Sequence, residues 1–257
     1  MRIAACQFAV SGDLEQNYSC MKHAVAQAAQ QNVKLLVFPE CALTGYPPRD
    51  IPSSAAANLS AVDAKLDALS RMAMEHGMCI ILGTITHAND NFRNSAAILL
   101  PDGKRRFYHK RALWGWDRDN FVSGNETGIV ELNGLKIGIR ICYEIRFPEF
   151  FRELYAARTD LNLIIFYDVS DEDDSGRYEL IKSHLRTRAA ENVTPLLSVN
   201  AIHPFQTAPT AFFDRSGYVP AEQERNTEGL LVWDFENTAL DFSERGRKEI
   251  SNAWLNH

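Results

Sequence analysis

The chain has 257 residues, of which 46% are hydrophobic and 23% are charged, as in soluble globular proteins with a large core. Its formal net charge of -6 argues against nucleic-acid binding, which depends on clustered lysine and arginine. No apolar run approaches the roughly 20 residues of a bilayer span, so we expect no membrane association.

Short apolar runs of the kind that form buried strands recur along the chain. They are Ile3–Val10, Leu35–Phe38, Cys79–Leu82, Ala96–Leu100, Ile137–Cys142, Leu161–Phe166, Pro195–Val199, Ala211–Phe213 and Leu230–Trp233. These runs do not alternate in polarity, which predicts that both faces of each strand are buried.

Helices are predicted between these runs, where apolar residues repeat at 3.6-residue spacing. The helical sets are Tyr18, Met21, Val25 and Ala28; Val62, Leu66, Leu69 and Met72–Ala73; and Tyr178, Ile181, Leu185 and Ala189. A further helix is expected near Pro148, because proline is favoured in a first helical turn.

The order of the elements repeats. Strand, helix, strand, helix, strand, strand begins again at Leu135, and Leu35–Glu40 and Leu163–Asp168 are both apolar strands that end in a carboxylate. Each half would form a sheet with helices on one face, and stacking the two sheets would bury their other faces. The pattern predicts an α/β fold, a four-layer α-β-β-α sandwich in a single domain of residues 1–257. One doubly wound sheet is the alternative.

The five cysteines are scattered and form no Cys-x-x-Cys pair. An odd number at irregular spacing is typical of reduced thiols rather than of a disulfide framework or a zinc site. The N-terminus enters a strand directly, without a signal-peptide pattern. We therefore expect a cytoplasmic protein without a metal.

Cys142 ends a buried strand a few residues before the helix predicted near Pro148. A strand-to-helix turn would expose its side chain and direct backbone N–H groups and a helix N-terminus toward it, which favours the thiolate. A small core residue is the alternative interpretation.

Glu40 and Lys110 are the other candidates for chemistry. Glu40 follows a buried strand, where a carboxylate either pairs with a helix N-terminus or is desolvated enough to act as a general base. Lys110 lies in a basic run after a strand, where it is either functional or a solvated surface charge.

Three segments resemble the signature blocks of the nitrilase superfamily of carbon–nitrogen hydrolases. They are Leu36–Pro48, Tyr108–Arg111 with Phe121–Gly124, and Gly138–Glu149, in the family's order. Arg186–Asn192 and Asp214–Gly217 are similar to further parts of that family, so the resemblance covers nearly the whole chain. It implies an αββα sandwich assembled as a homodimer or larger homo-oligomer.

The resemblance also implies roles at the matching positions. Cys142 would be the nucleophile, Glu40 the general base and acid, and Lys110 a cation that stabilises the oxyanion together with the backbone N–H of Tyr143. The expected substrate is a small linear amide, hydrolysed through a thioester with release of ammonia. This chemistry requires no metal or organic cofactor.

The chain departs from the family in the loop before Phe121. A further glutamate of the family is replaced here by aspartate, with Asp117 the preferred match and Asp119 the alternative, unless both are solvated loop carboxylates. Ser123 stands where proline is usual, which should only loosen the turn.

Substrate contacts are less well defined. Tyr46 and Asp119 are candidates, and Asp168 with the acidic stretch Asp171–Asp174 would favour an amine-bearing substrate, unless these residues cap the next helix. Arg146 would bind a substrate carboxylate, or pair with Glu149 or another buried acid. The two clues predict opposite substrate charges.

Other functions remain open at this point. An N-carbamoyl hydrolase would use the same residues, and Leu43–Pro48 also resembles the glutaminase domain of glutamine-dependent NAD synthetases. A nitrilase in the strict sense is less favoured. A Cys–His hydrolase would use His109 or His184, and a non-catalytic binding protein would use none of these residues for chemistry.

Overall fold

Two six-stranded sheets form the centre of the computed structural model, which describes residues 1–89 and 91–255. The first half contains β1 (Arg2–Gln7), α1 (Leu14–Gln30), β2 (Leu35–Val37), α2 (Leu59–His76), β3 (Cys79–Ala88), β4 (Asn91–Leu99), β5 (Arg105–His109) and the short helix α3 (Trp116–Asn120). The remainder contains β6 (Ile129–Leu132), β7 (Leu135–Ile141), α4 (Pro148–Ala156), β8 (Leu161–Phe166), β9 (Val169–Ser170), α5 (Ser175–Asn192), β10 (Leu196–Asn200), β11 (Phe205–Gln206), β12 (Ala211–Phe213), β13 (Ala221–Glu222), β14 (Gly229–Asp234) and α6 (Phe242–Leu255).

The strand orders of the two sheets correspond. The first sheet runs β14-β1-β2-β3-β4-β5, and the second, read from its other edge, runs β6-β7-β8-β10-β12-β13. In each sheet three central strands are parallel and both flanks are antiparallel. β9 and β11 form a separate two-stranded pair. The repetition predicted from Leu135 is confirmed as a shared topology.

Alternate residues of the central strands belong to different cores. On β1, Ile3 lies in an apolar cluster with Ile139 of the second sheet, whereas Ala4 lies in a cluster with Met21 of α1. On the other side of the second sheet, Ile164 packs in a cluster with Leu185 of α5. Both sheets are therefore buried on both faces, and the four-layer α-β-β-α sandwich is confirmed. The alternative of one doubly wound sheet is wrong.

The long helices begin at side-chain caps. Asp13, Asn58 and Asp174 each accept a hydrogen bond from a backbone N–H in the first turn of α1, α2 and α5. The acidic stretch before Tyr178 thus includes a helix cap, as one interpretation of the sequence held. None of the helices within the described ranges has the length and apolar character needed to cross a membrane.

Some element boundaries differ from the predicted ones. β1 ends at Gln7 instead of Val10, and β4 begins at Asn91, before the apolar run at Ala96. The edge strands β5 and β6 have no continuous apolar run, because each contains an exposed charged residue, Arg106 or Glu131. No helix was predicted at α6, and every residue of this helix is at least partly exposed.

Gly83 on β3 lets the end of β2 lie directly against its neighbour. A Cβ atom at this position would collide with the backbone of Pro39, Glu40 and Cys41. Gly83 also donates its N–H to the carbonyl of Pro39 at 2.9 Å. The position of Glu40 therefore depends on the absence of a side chain at residue 83.

We expect Gly83→Ala to destabilise the protein by about 3 kcal/mol, because the displaced atoms are backbone and cannot rotate away. The matched control is Gly246→Ala in α6, where an added Cβ meets nothing within 4 Å and alanine favours the helix. Urea unfolding of both variants measures the difference. Equal stability of the two would contradict the packing described for Gly83.

Candidate active site

A buried lysine between two buried carboxylates lies at the centre of the candidate site. The Nζ atom of Lys110 is 2.7 Å from Oε1 of Glu40 and 2.7 Å from Oδ2 of Asp117, and none of the three side chains is more than 3% exposed. Removing Lys110 would leave two carboxylates without a counter-charge in the interior, which costs several kcal/mol. The three residues come from segments far apart in the sequence.

Glu40 is held at both oxygens. Asn94 donates its side-chain N–H to Oε1 at 2.7 Å, and the backbone N–H of Tyr167 donates to Oε2 at 2.8 Å. Tyr167 follows β8, so the carboxylate of the first half is bound by the second half. No sequence pattern indicated Asn94, because a polar residue near the start of a strand is ordinarily solvated.

Burial controls the proton affinity of this cluster. Desolvation raises the pKa of Glu40, although the neighbouring Lys110 ammonium opposes the shift. For Lys110, burial acts against the charged form, but the carboxylates of Glu40 and Asp117 outweigh it and the pKa is raised. Lys110 is therefore an ammonium at neutral pH, and Glu40 is a stronger base than an exposed glutamate.

Cys142 follows β7 with a left-handed backbone, at φ +46°. It is partly exposed, and it lines the same cavity as Lys110 and Asp117. Burial, and then the charge of Glu40, raise the pKa of its thiol despite the opposing effect of Lys110. A 3-10 turn, Cys142–Arg146, separates it from α4.

The expectation that the local structure favours the thiolate of Cys142 is wrong. The N-terminus of α4 lies beyond the turn at Pro148, so its backbone N–H groups do not begin at Cys142. Desolvation is the largest influence on the pKa of Cys142, and it acts against the charged form. The sulfur is a thiol at rest, and an adjacent base must remove its proton before it can attack.

The cavity has a volume of about 310 Å³. Aromatic rings form much of its wall, with Tyr46 stacked on Tyr167 at 5.0 Å and Trp114 stacked on Tyr143 at 5.9 Å between ring centroids. The hydroxyl of Tyr46 donates to Oδ1 of Asp117 at 2.9 Å. Tyr46 thus lines the cavity and also fixes the orientation of Asp117.

Only one of the two candidate aspartates reaches the site. Asp117 is buried and lines the cavity, whereas Asp119 is exposed and is absent from the lining. Successive residues of a helix are rotated by about 100°, so positions 117 and 119 on α3 face nearly opposite directions. The alternative that placed Asp119 at the site or against the substrate is corrected.

Asp168 and Arg146 both line the cavity, but their charges are not equally available. Asp168 accepts hydrogen bonds from Arg177 at 2.9 Å and from the hydroxyl of Thr207 at 2.6 Å. Arg146 lies 3.2 Å from Nε2 of His184, and none of the carboxylates in residues 1–89 and 91–255 forms an ion pair with it. The expected pairing of Arg146 with Glu149 or another acid is therefore corrected.

The side chain of His184, which contacts Arg146, carries no charge at pH 7. Burial, and then the guanidinium groups of Arg146 and Arg188, lower the pKa of His184, so that the imidazole is neutral at pH 7. Arg146 thus remains a cation in the cavity wall, and none of the described acidic residues pairs with it. Arg177 forms an ion pair with Asp168. The sequence did not predict this pair, because Asp168 lies in a loop and Arg177 lies in the first turn of α5.

Neither histidine proposed for a Cys–His mechanism lines the cavity with Cys142. His109 lies 2.7 Å from the hydroxyl of Ser95, and His184 contacts Arg146. In the part of the chain that the structure describes, no three His, Cys, Asp or Glu side chains converge in a way that could hold a metal.

Comparison with known proteins supports the family that the sequence motifs and the fold indicate. Residues 2–239 match the sequence profile of the carbon-nitrogen hydrolase family. The chain belongs to this family.

Several relatives with a described activity are amidases, and others are glutamine-dependent NAD(+) synthetases. An (R)-stereoselective amidase of a Pseudomonas species is 31% identical over 155 residues, covering 60% of this chain but only 56% of that protein. Omega-amidase NIT2 of Xenopus tropicalis is 25% identical over 202 residues, covering 74% of this chain and 71% of that protein.

The fold is similar to the crystal structure of an amidase from Nesterenkonia sp., with a TM-score of 0.81 and 25% identity over 99% of this chain and 96% of that chain. A mutant of that amidase carries the acetamide group of fluoroacetamide on its active-site cysteine.

We expect the alkylation of Cys142 by iodoacetamide to lose rate in acid, with a midpoint above 4.5, the ordinary pKa of a glutamate. Glu40 accepts a proton only as a carboxylate, and burial raises its pKa, so the base is lost as the pH falls through that raised value. Mass spectrometry across the pH range measures the rate. In Glu40→Gln this acid limb should vanish, and its persistence would assign the limb to another group.

Proposed function

We propose that this protein hydrolyses the carbon–nitrogen bond of a small linear amide through a thioester on Cys142, with release of ammonia. The observation that supports this most directly is the buried cluster of Glu40, Lys110 and Asp117 against the cavity that Cys142 lines. The cluster combines a base and a fixed cation beside a nucleophile, which acyl transfer requires.

In the first step Glu40 takes the thiol proton and the Cys142 sulfur attacks the amide carbonyl carbon. The carbonyl oxygen gains a negative charge, which the Lys110 ammonium and the backbone N–H of Tyr143 stabilise. A single donor of this kind contributes roughly 3 kcal/mol to the transition state. Asp117 and Tyr46 keep the ammonium in position through the short contacts described above.

In the second step Glu40 returns its proton to the amide nitrogen, the carbon–nitrogen bond breaks, and ammonia leaves a thioester on Cys142. A water molecule then takes the place of the ammonia. Glu40 removes a proton from this water, which attacks the thioester carbon. Collapse of the second tetrahedral intermediate releases the carboxylic acid, and the proton on Glu40 returns to the sulfur.

The charges of the cavity favour an amide with a neutral or anionic second group over one with an amine. Asp168 is already neutralised by Arg177, so it offers little attraction to an ammonium group. Arg146 has no acidic partner among the described residues, and a guanidinium binds a carboxylate through two parallel hydrogen bonds. The proposal therefore follows the sequence clue from Arg146.

Two alternative substrates use the same residues. An N-carbamoyl compound would release carbon dioxide together with ammonia, and glutamine would release ammonia and glutamate. Ammonia release over a panel of amides, carbamoyl compounds and glutamine, with carbon dioxide measured in parallel, distinguishes them. No ammonia from any member of the panel would favour a binding protein.

We also propose that residues 1–257 act as one domain in a cytoplasmic homo-oligomer. The family resemblance supports this assembly, and so do the large apolar side chains of Phe242 and Ile250, which are 86% and 65% exposed on α6. Light scattering during gel filtration of the full chain measures the oligomeric state, and a monomer at micromolar concentration would refute the assembly.

Cys142→Ala should lower amide hydrolysis by about 10³-fold or more, since Cys142 supplies the only thiol among the described residues that line the cavity. Asp117→Asn should lower kcat by about 10²-fold, because the Lys110 ammonium loses one of two counter-charges. Asp119→Asn is the matched control on the same short helix and should retain full activity. Steady-state ammonia assays measure all three variants, and equal effects of the two aspartate changes would refute the role of Asp117.

Arg146→Gln should raise KM about tenfold or more for an amide that carries a carboxylate and leave KM unchanged for a neutral amide of the same length. The lost guanidinium–carboxylate pair accounts for the difference, since a tenfold change corresponds to about 1.4 kcal/mol. The ratio of the two kcat/KM values is the quantity to measure. An equal loss of kcat/KM on both substrates would show that Arg146 does not recognise the charge of the substrate.

A further inference from the structure

Glu144 is completely buried next to the site, but it does not line the cavity. Its Oε1 atom accepts hydrogen bonds from the hydroxyl of Tyr108 at 2.8 Å and from the backbone N–H of Arg111 at 2.8 Å. Its Oε2 atom accepts one from the backbone N–H of Ile141 at 2.7 Å. All the partners of this carboxylate are donors, so it serves here as an acceptor and not as an acid.

The three donors flank the two reactive groups. Tyr108 and Arg111 lie on either side of Lys110 at the end of β5, in the first sheet, and Ile141 directly precedes Cys142 at the end of β7, in the second. A single carboxylate therefore connects the backbone that carries the ammonium to the backbone that carries the sulfur. Among the described residues, Glu144 is the completely buried side chain that accepts hydrogen bonds from residues within two positions of each group.

A second connection lies nearer the surface. Glu153 of α4 forms ion pairs with Arg111 and with the buried Arg140, which lies two residues before Cys142. Glu153 is 34% exposed, so solvent weakens its charge interactions compared with those of Glu144. Both connections join the same two segments, but only the one at Glu144 is shielded from water.

We propose that Glu144 is a positioning residue that fixes Cys142 relative to Lys110. This inference rests on the proposed function, because it gives the separation of these two groups a role in catalysis. A carboxylate is required at this position because both of its oxygens face donors. An amide in either orientation would direct its own N–H groups at a backbone N–H or at a hydroxyl.

The test is Glu144→Gln in the full chain. We expect kcat to fall by about 10²-fold, since a displacement near 1 Å in a site of this kind has that effect, while KM changes by less than about threefold. The acid limb of the pH–rate profile should not move, because Glu40 and not Glu144 is the base. A kcat within about twofold of the wild type, or a shifted acid limb, would overturn the proposal.

Tyr108→Phe provides an independent variant if Glu144→Gln does not fold. It keeps the buried ring and removes one of the three donors, and we expect kcat to fall about threefold to tenfold at unchanged KM. Glu153→Gln is the matched control at the exposed connection and should lower kcat less than Tyr108→Phe does. The reverse order would overturn the assignment to Glu144.

Alkylation of Cys142 by iodoacetamide separates this proposal from the proposed function. The reaction needs no natural substrate, so its rate reports the arrangement of Cys142 even if the wild-type protein hydrolyses no amide. A slower alkylation in Glu144→Gln at unchanged melting temperature supports positioning. An unchanged rate overturns it, whatever the substrate panel shows.

Discussion

One buried positive charge determines the arrangement of this site. The Lys110 ammonium is almost without solvent and is compensated by Glu40 and Asp117, each at 2.7 Å. A charge in such an environment is stable only where its partners are fixed, so the segments that carry the three side chains must meet with little freedom. The carboxyl ends of β2 and β5 and the short helix α3 provide that meeting point, and the stacked sheets hold it.

The carboxylates that follow equivalent strands in the two halves of the fold have different partners. β2 and β8 occupy the same place in their sheets, and each is followed by a buried carboxylate, Glu40 or Asp168. Glu40 pairs with the ammonium of Lys110, which also pairs with Asp117. Asp168 is bound instead by Arg177 and by the hydroxyl of Thr207. The same strand end thus carries a carboxylate paired with Lys110 in one half and a carboxylate paired with Arg177 in the cavity wall in the other.

Periodicity and apolar runs were sufficient to predict the layers, because burial of alternate strand residues and of helix stripes leaves a pattern along the chain. Elements that lie at edges or pack weakly, such as β5 and α6, leave no such pattern and were not predicted. The motifs indicated Glu40, Lys110 and Cys142, but not Asn94 or Glu144, whose importance depends on which distant donors or acceptors they meet. The expectation of a thiolate at Cys142 was wrong for a related reason, because residues far away in the sequence determine how strongly the thiol is desolvated.

The raised pKa of Cys142 and the position of Lys110 together explain how one cation can serve a whole reaction cycle. In the proposed mechanism a single negative charge moves from Glu40 to the sulfur as the proton is transferred, and then to the carbonyl oxygen as the bond forms. Each location lies around the same ammonium, so no new charge has to be created in a poorly solvated cavity. When Glu40 becomes neutral, Lys110 loses one counter-charge, and Asp117 then keeps the ammonium from following the migrating charge. In this proposed mechanism the second carboxylate is needed because the first one changes its charge.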